Sequence, residues 1–228
     1  MCSSDLSWHG VHLYAYLAMA FGYLHQLTIG ADFVDDSVAT WTWIGLYVVA
    51  FGPLLVHRVA WPLLVTLRHR PRVEAVVRET DEIFSLSVTG RELDRLAVRA
   101  GQFFVVRALT RRDLLHAHPL SISAAPDGRR IRFTIRVAGE GTRALRALRP
   151  GTRLLLEGPY GNMHGARRTG RRLLFVAGGV GISPIRALAE AFAYRSGEAD
   201  LVYRARSADD LALRGELEAL AKIGRAHV

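Results

Sequence analysis

The sequence predicts a multi-domain chain: transmembrane α-helices, then a six-stranded antiparallel β-barrel, then a truncated α/β domain with a parallel sheet. Three observations predict this. Trp8 to Gly30 carries no Asp, Glu, Lys or Arg. Short β-forming runs separated by Gly and Pro turns follow from residue 73. From Leu173 an apolar run opens into glycines and then into a helical pattern. The expected boundaries are 1–67, 68–166 and 167–228.

The uncharged stretch from Trp8 to Gly30 would span roughly 34 Å as a helix, enough for a hydrocarbon core of about 30 Å. Asp32, Asp35 and Asp36 fill the connection, and a second apolar stretch runs from Trp41 past Arg58 towards Leu67. Arg58 can snorkel to head groups, Pro62 is expected to bend or end the helix, and Trp41, Trp43 and Trp61 suit an interfacial belt. The expected surroundings are therefore a lipid bilayer. Arg68, Arg70 and Arg72 follow the second helix while the intervening loop is acidic. The positive-inside rule then puts the rest of the chain in the cytoplasm, with the first part as a multi-pass segment of the cell membrane.

The barrel strands are expected at Val73–Arg78, Ile83–Val88, Phe103–Val106, Leu120–Ser123, Ile131–Val137 and Arg153–Glu157. Ala100-Gly101, Pro126-Asp127-Gly128, Pro150-Gly151 and Gly158-Pro159-Tyr160-Gly161 separate them. A short helix over Thr142–Leu148 is expected to plug one end of the barrel. Beyond it, a buried strand at Leu173 leads through glycines to a helix over Pro184–Arg195. A strand at Asp200–Tyr203 and a helix from Ala208 follow, which is one βαβα unit.

Half of the residues are hydrophobic, and the excess lies before residue 68. The formal net charge of +9 comes almost wholly from arginine. Scattered arginines without an interleaved aromatic platform argue against nucleic-acid binding. A single cysteine, Cys2, excludes an internal disulfide and any cysteine-ligated cluster. The DNA for Ile223-Gly224-Arg225-Ala226-His227 can be the reverse complement of DNA for Val-Cys-Ser-Ser-Asp, which matches Met1–Asp5 if GTG starts the chain. Both ends are therefore expected to be sequencing-adapter read-through, with the natural protein continuing in both directions.

Two segments carry the chemistry. Gly178-Gly179-Val180-Gly181-Ile182-Ser183-Pro184 has a strand before it and a helix after it, the context of a loop whose backbone N–H groups approach a pyrophosphate. Arg204 follows the next strand, where an arginine can hold a ribose 2′-phosphate. This favours NADPH, with NADH possible; a solvated charge is the alternative reading. The other segment is His118-Pro119-Leu120-Ser121 on an apolar strand.

The order Gly101-Gln102-Phe103, His118-Pro119-Leu120-Ser121-Ile122-Ser123, Gly139-Glu140-Gly141-Thr142, Gly158-Pro159-Tyr160-Gly161, Gly178 to Pro184 resembles the ferredoxin-reductase-type flavin and nicotinamide module. The His-Pro version resembles the membrane-bound ferric reductase and NADPH oxidase superfamily. The resemblance covers nearly all of residues 8 to 220. It implies FAD against His118, Pro119, Leu120 and Ser121, with Arg136, Gly141 and Thr142 meeting the flavin pyrophosphate at a helix start. It implies that the turn from Gly178 to Pro184 holds the nicotinamide dinucleotide.

The resemblance also implies haem b. His12 and His25 lie thirteen positions apart on the first helix, about 20 Å at ideal rise, and neutral imidazole is a haem ligand. Thirteen residues turn a straight helix about 220° beyond whole turns, so some local distortion is needed. Each haem also needs a histidine from a further helix, so haem is expected only with helices outside this chain. The expected function is a membrane oxidoreductase passing electrons from NADPH through FAD and haem to an acceptor across the membrane. Hydride transfer needs no protein acid or base, so no catalytic side chain is named. The alternatives are a membrane-anchored flavin reductase without haem, and a non-catalytic membrane subunit.

Overall fold

A computed structural model describes residues 3–29, 36–111, 113–114, 116–195 and 197–222; side chains at 3–10, 12 and 13 lie outside the description. Of the segments expected to be adapter read-through, residues 1–2 and 223–227 therefore fall outside it, as do Asp32 and Asp35. The chain forms two compact units, Met1–Ala60 and Trp61–Val228.

The first unit holds α1 (Ser3–Ile29) and α2 (Ser37–Leu55), followed by a π segment, Val56–Ala60. Asp36 starts α2: its Oδ1 accepts from the backbone N–H of Val38 at 2.9 Å and of Ala39 at 3.1 Å. Such a cap stabilises a helix by about 1 kcal/mol. The two helices touch through rings, with Tyr23 and Tyr47 centroids 4.2 Å apart and Phe51 stacked on Tyr47 at 5.4 Å. Among the described residues one helix, Ser37–His69, is long and apolar enough to cross a membrane by length and composition. The expectation of two such helices is corrected to that extent. Pro62 does not end the helix either, because Trp61–His69 is helical as α3. Pro62 lies in the first turn after the π segment, where an absent N–H and a widened backbone are tolerated.

In the second unit α3 turns Pro62, Val65 and His69 inward and leaves Leu63, Leu64 and Leu67 exposed. His69 holds its end in place: Nδ1 lies 2.9 Å from the Arg91 carbonyl, and the His69 carbonyl accepts from Arg91 N–H at 2.6 Å. Six antiparallel strands follow: β1 (Arg72–Arg78), β2 (Ile83–Thr89), β3 (Phe103–Ala108), β4 (His118–Ser121), β5 (Arg130–Arg136) and β6 (Leu154–Tyr160). They form two sheets, β1-β2-β5 and β4-β3-β6. Single bridges join them at both seams, Arg72 with Arg153 and Ile122 with Phe133, so the six strands close into a ring.

Phe84, Phe104 and Phe133 are fully buried in the barrel core, and Phe104 meets Phe133 edge-on across the sheets at 6.2 Å. Each such ring contributes roughly 1.5–3 kcal/mol by burial. The short helix α4 (Glu140–Arg146) adds Leu145 to this core. A buried carboxylate, Glu157, sits among apolar strands because the Arg107 guanidinium lies 3.2 Å away and the Tyr160 hydroxyl donates to it at 3.0 Å.

The remaining elements are β7 (Leu173–Gly178), α5 (Ile182–Ala191), β8 (Ala199–Arg204) and α6 (Arg214–Lys222), with β7 and β8 parallel. The strand expected to be wholly buried is buried on one face only. Phe175 and Ala177 point inward, while Leu174 is 67% and Val176 63% exposed. A continuous apolar run hides this alternation from a reading of the sequence. The last helix starts at Arg214 rather than near Ala208, because Ala208–Asp210 forms a 3₁₀ turn tied by Ser207 Oγ donating to Asp210 Oδ2 at 3.0 Å.

Gly101 and Gly151 both adopt φ of +87°. A Cβ on Gly101 would stand 1.7 Å from the Met163 carbonyl oxygen, whereas one on Gly151 would meet nothing within 4 Å. Gly151→Ala should cost only the backbone penalty of about 1–2 kcal/mol. Gly101→Ala should cost upwards of about 3 kcal/mol, because the backbone at Met163 must move as well. Urea unfolding followed by far-ultraviolet circular dichroism measures the difference; equal midpoints would contradict it.

Candidate functional site

Strand β4 pairs with β3 so that His118 faces Val106, Pro119 faces Val105, Leu120 faces Phe104 and Ser121 faces Phe103. Leu120 enters the core, Pro119 is exposed, and His118 and Ser121 are half-buried. The His118 ring lies over Gly141 at the start of α4: a Cβ there would come within 2.7 Å of Cε1. The missing side chain at residue 141 is thus what lets the imidazole approach the helix start. Burial lowers the His118 pKa below its usual value, His116 lowers it further and Asp113 opposes them, so the ring is neutral near pH 7.

Arg136 ends β5 and binds Glu82 Oε2 through Nη2 at 2.9 Å and Nε at 3.1 Å. The pair is exposed, so it is worth at most about 1 kcal/mol and can exchange for another anion. The Thr142 hydroxyl accepts from the N–H groups of Ala138 and Gly139 at 2.9 and 3.1 Å and donates to the Gly139 carbonyl. The hydroxyl shapes the turn that leads into the helix.

The glycine turn leaves β7 at Gly178 and passes through a 3₁₀ turn, Gly179–Gly181, into α5. Gly179 has φ of +51°, and a Cβ on Gly178, Gly179 or Gly181 would meet nothing within 4 Å. The space above this backbone is open, as close approach of a phosphate requires. Arg204 is the register partner of Gly178 across β7 and β8, so the structure brings the arginine and the turn together. Tyr203, which the sequence did not single out, braces the turn: its hydroxyl donates to the Gly179 carbonyl at 3.1 Å.

Ile182 and Ser183, within the turn expected to approach the pyrophosphate through its backbone, have buried side chains. The Ser183 hydroxyl lies 2.9 Å from the Thr134 carbonyl on β5 and 2.8 Å from the Val180 carbonyl. It seats the N-terminus of α5 on the barrel. Val180 and Pro184 are half-buried beside it. Because β5 is bridged to the residue after β4 through Phe133 and Ile122, the glycine turn rests on the neighbour of the His118–Ser121 strand. His25 is exposed on α1, and the His12 side chain lies outside the described residues. Among the described residues there is no group of three or more His, Cys, Asp or Glu able to hold a metal ion.

Residues 175–227 match the oxidoreductase NAD-binding domain family. The chain is 34% identical over 114 residues to the electron transfer subunit of dihydroorotate dehydrogenase B (NAD(+)) from Clostridium acetobutylicum, covering 50% of this chain and 44% of that protein. It is 38% identical over 109 residues to ferredoxin–NADP reductase B from Sorangium cellulosum, covering 45% of this chain and 44% of that one. The chain thus spans about half the length of the curated relatives it matches. Among solved structures, the FAD/NAD-binding domain of nitric oxide dioxygenase from Vibrio cholerae superposes with a TM-score of 0.58 at 18% identity, covering 70% of this chain and 72% of that one. The two curated relatives are named an electron transfer subunit and a ferredoxin–NADP reductase, which supports the coarser of the two resemblances. The barrel and the parallel strands after it have the fold of a ferredoxin-reductase-type module, and the family match falls on the second of these parts.

Proposed function

We propose that this chain is part of a membrane-anchored oxidoreductase that takes electrons from NADPH into FAD and passes them on. The observation that carries the reading is the seating of the glycine turn on β5, beside the strand His118–Ser121. Two nucleotide sites that adjoin in this way allow donor and acceptor rings to meet at roughly 3–3.5 Å. Bound FAD would supply the conversion of a two-electron donor into single electrons.

The residues present fit both nucleotides. Neutral His118 and Pro119 offer a wall without charge, and Ser121 a half-buried hydroxyl beside it. Gly141 gives His118 its place, and Arg136 can leave Glu82 for a phosphate. Gly178 to Gly181 present backbone N–H groups under open space, next to Arg204. That neighbour favours NADPH over NADH, while the relatives' names print both coenzymes. The apolar helix Ser37–His69 supports a bilayer location, with the module on the cytoplasmic side. Haem on His12 and His25 rests on the resemblance alone. A second reading is an electron-transfer subunit that hands electrons to a partner protein; it is favoured by the printed name of the Clostridium acetobutylicum relative.

The test is an absorption spectrum of the FAD-loaded protein together with NADPH oxidation by an artificial acceptor such as ferricyanide. Flavin bands with acceptor-dependent oxidation are expected; loading without oxidation would end the enzyme reading. A Soret band would support haem, and flavin bands alone the reading without it. Gly141→Ala should weaken FAD binding about tenfold, a loss of about 1.4 kcal/mol, because the new methyl displaces His118. Gly139→Ala, which points into open space, should leave it unchanged, as flavin fluorescence titration will show. Arg204→Ala should raise the KM for NADPH about tenfold and leave that for NADH within twofold; equal effects on both would make Arg204 a solvated charge.

A further inference from the structure

Arginines and glutamates from three elements meet where α5 and α6 lie against the barrel. Arg132 on β5 binds Glu216 on α6 with two prongs, Nη1 to Oε1 at 2.7 Å and Nη2 to Oε2 at 2.9 Å. Arg186 on α5 reaches the same carboxylate with Nη2 at 2.8 Å. Its Nη1 bonds Glu190 one turn further along α5. Burial pushes the Glu216 carboxyl up, but the Arg132 hydrogen bond and the Arg186 charge outweigh it, so the pKa lies below the usual carboxylate value.

The same groups grip the backbone that follows the His118–Ser121 strand. Arg132 donates from Nη2 to the Ser123 carbonyl at 2.8 Å and from Nε to Ser123 Oγ at 3.2 Å. Arg186 Nη1 approaches that carbonyl at 3.5 Å, and Glu190 Oε2 accepts from the Ala125 N–H at 2.5 Å. The Arg132 and Arg186 side chains are only 18% and 10% exposed. Two positive and two negative charges balance here, and removing a glutamate leaves an arginine unmatched where water hardly reaches, whereas the Glu216 and Glu190 side chains are 35% and 31% exposed. The arrangement therefore favours one placement of α5, and with it of the glycine turn at its N-terminus.

We propose that Arg132 and Glu216 are positioning residues that hold the glycine turn at transfer distance from the end of the flavin strand. This rests on the NADPH-to-FAD reading above. The step served moves one hydrogen with its electron pair from NADPH, which becomes NADP⁺, to the flavin, which is reduced by two electrons. A displacement of about 1 Å costs such a step on the order of a hundredfold. Neither residue touches either nucleotide in this assignment.

The experiment is anaerobic stopped-flow reduction of the FAD-loaded full chain by NADPH, for wild type, Glu216→Gln and Arg132→Lys. Glu216→Gln keeps the shape and removes the charge; Arg132→Lys keeps the charge and removes the two-pronged geometry. Amide hydrogen exchange over residues 122–125 is measured on the same samples. In both variants we expect a limiting reduction rate at least tenfold lower, FAD content and NADPH affinity within twofold, and faster exchange. Unchanged rates, or rates that fall only in step with lost FAD or lost NADPH affinity, would overturn the assignment. If NADPH does not reduce wild type, the NADPH-to-FAD reading fails on its own. Exchange then decides the contact: faster in the variants upholds the seat, and unchanged overturns it.

Discussion

The N-terminus of α5 rests on β5, where the Ser183 hydroxyl meets the Thr134 carbonyl at 2.9 Å. Beside this contact Gly101 leaves no room for a side chain, since a Cβ there would come within 3.0 Å of Leu188 on α5 and closer still to Met163. The barrel and α5 are therefore packed closely, with a polar lock at the point where the glycine turn becomes a helix. What the turn can do follows from that. The glycine turn is held against β5, the barrel neighbour of the strand carrying His118 and Ser121. In the proposed hydride transfer, donor and acceptor would depend on that one interface instead of on the internal geometry of either part.

The barrel was largely readable from sequence because each strand is short, half-apolar and bounded by glycine or proline. Six antiparallel strands were expected and six are observed, and β2 and β5 agree with expectation to within a residue at either end. The glycine turn was readable for a local reason too: strand, glycines and helix are contiguous. Pairings between distant residues were not readable. Ser183 and Thr134 are 49 positions apart, and Arg132 and Glu216 are 84 apart. No periodicity links such positions, so the seat that Ser183 makes on β5 could not be read from the sequence. The turn bonds of Thr142 were equally invisible, because a threonine at a helix start can serve its own turn as readily as an anion. Leu174 and Val176 showed that an apolar run carries no information about whether both faces of a strand are covered.

The helical part obeys a different solvent logic. Its apolar side chains are mostly exposed, and among the described residues the helix Ser37–His69 is the one that meets the length and composition of a membrane crossing. The π segment Val56–Ala60 precedes Pro62 and lets the helix continue through a residue that would otherwise stop it. The histidines on α1 acquire meaning only through the resemblance to membrane flavocytochromes, whereas the module from Trp61 onward stands on its own strands, turn and packing.

Optical contact between the two rings is the most direct measure of whether the nucleotide sites adjoin. Adding NADP⁺ to the photoreduced, FAD-loaded protein without oxygen should produce a broad long-wavelength charge-transfer absorbance, because stacked rings at roughly 3–3.5 Å are required for it. Binding of NADP⁺ detected by calorimetry without any such absorbance would mean that the nucleotide sits away from the flavin, and would contradict the central claim.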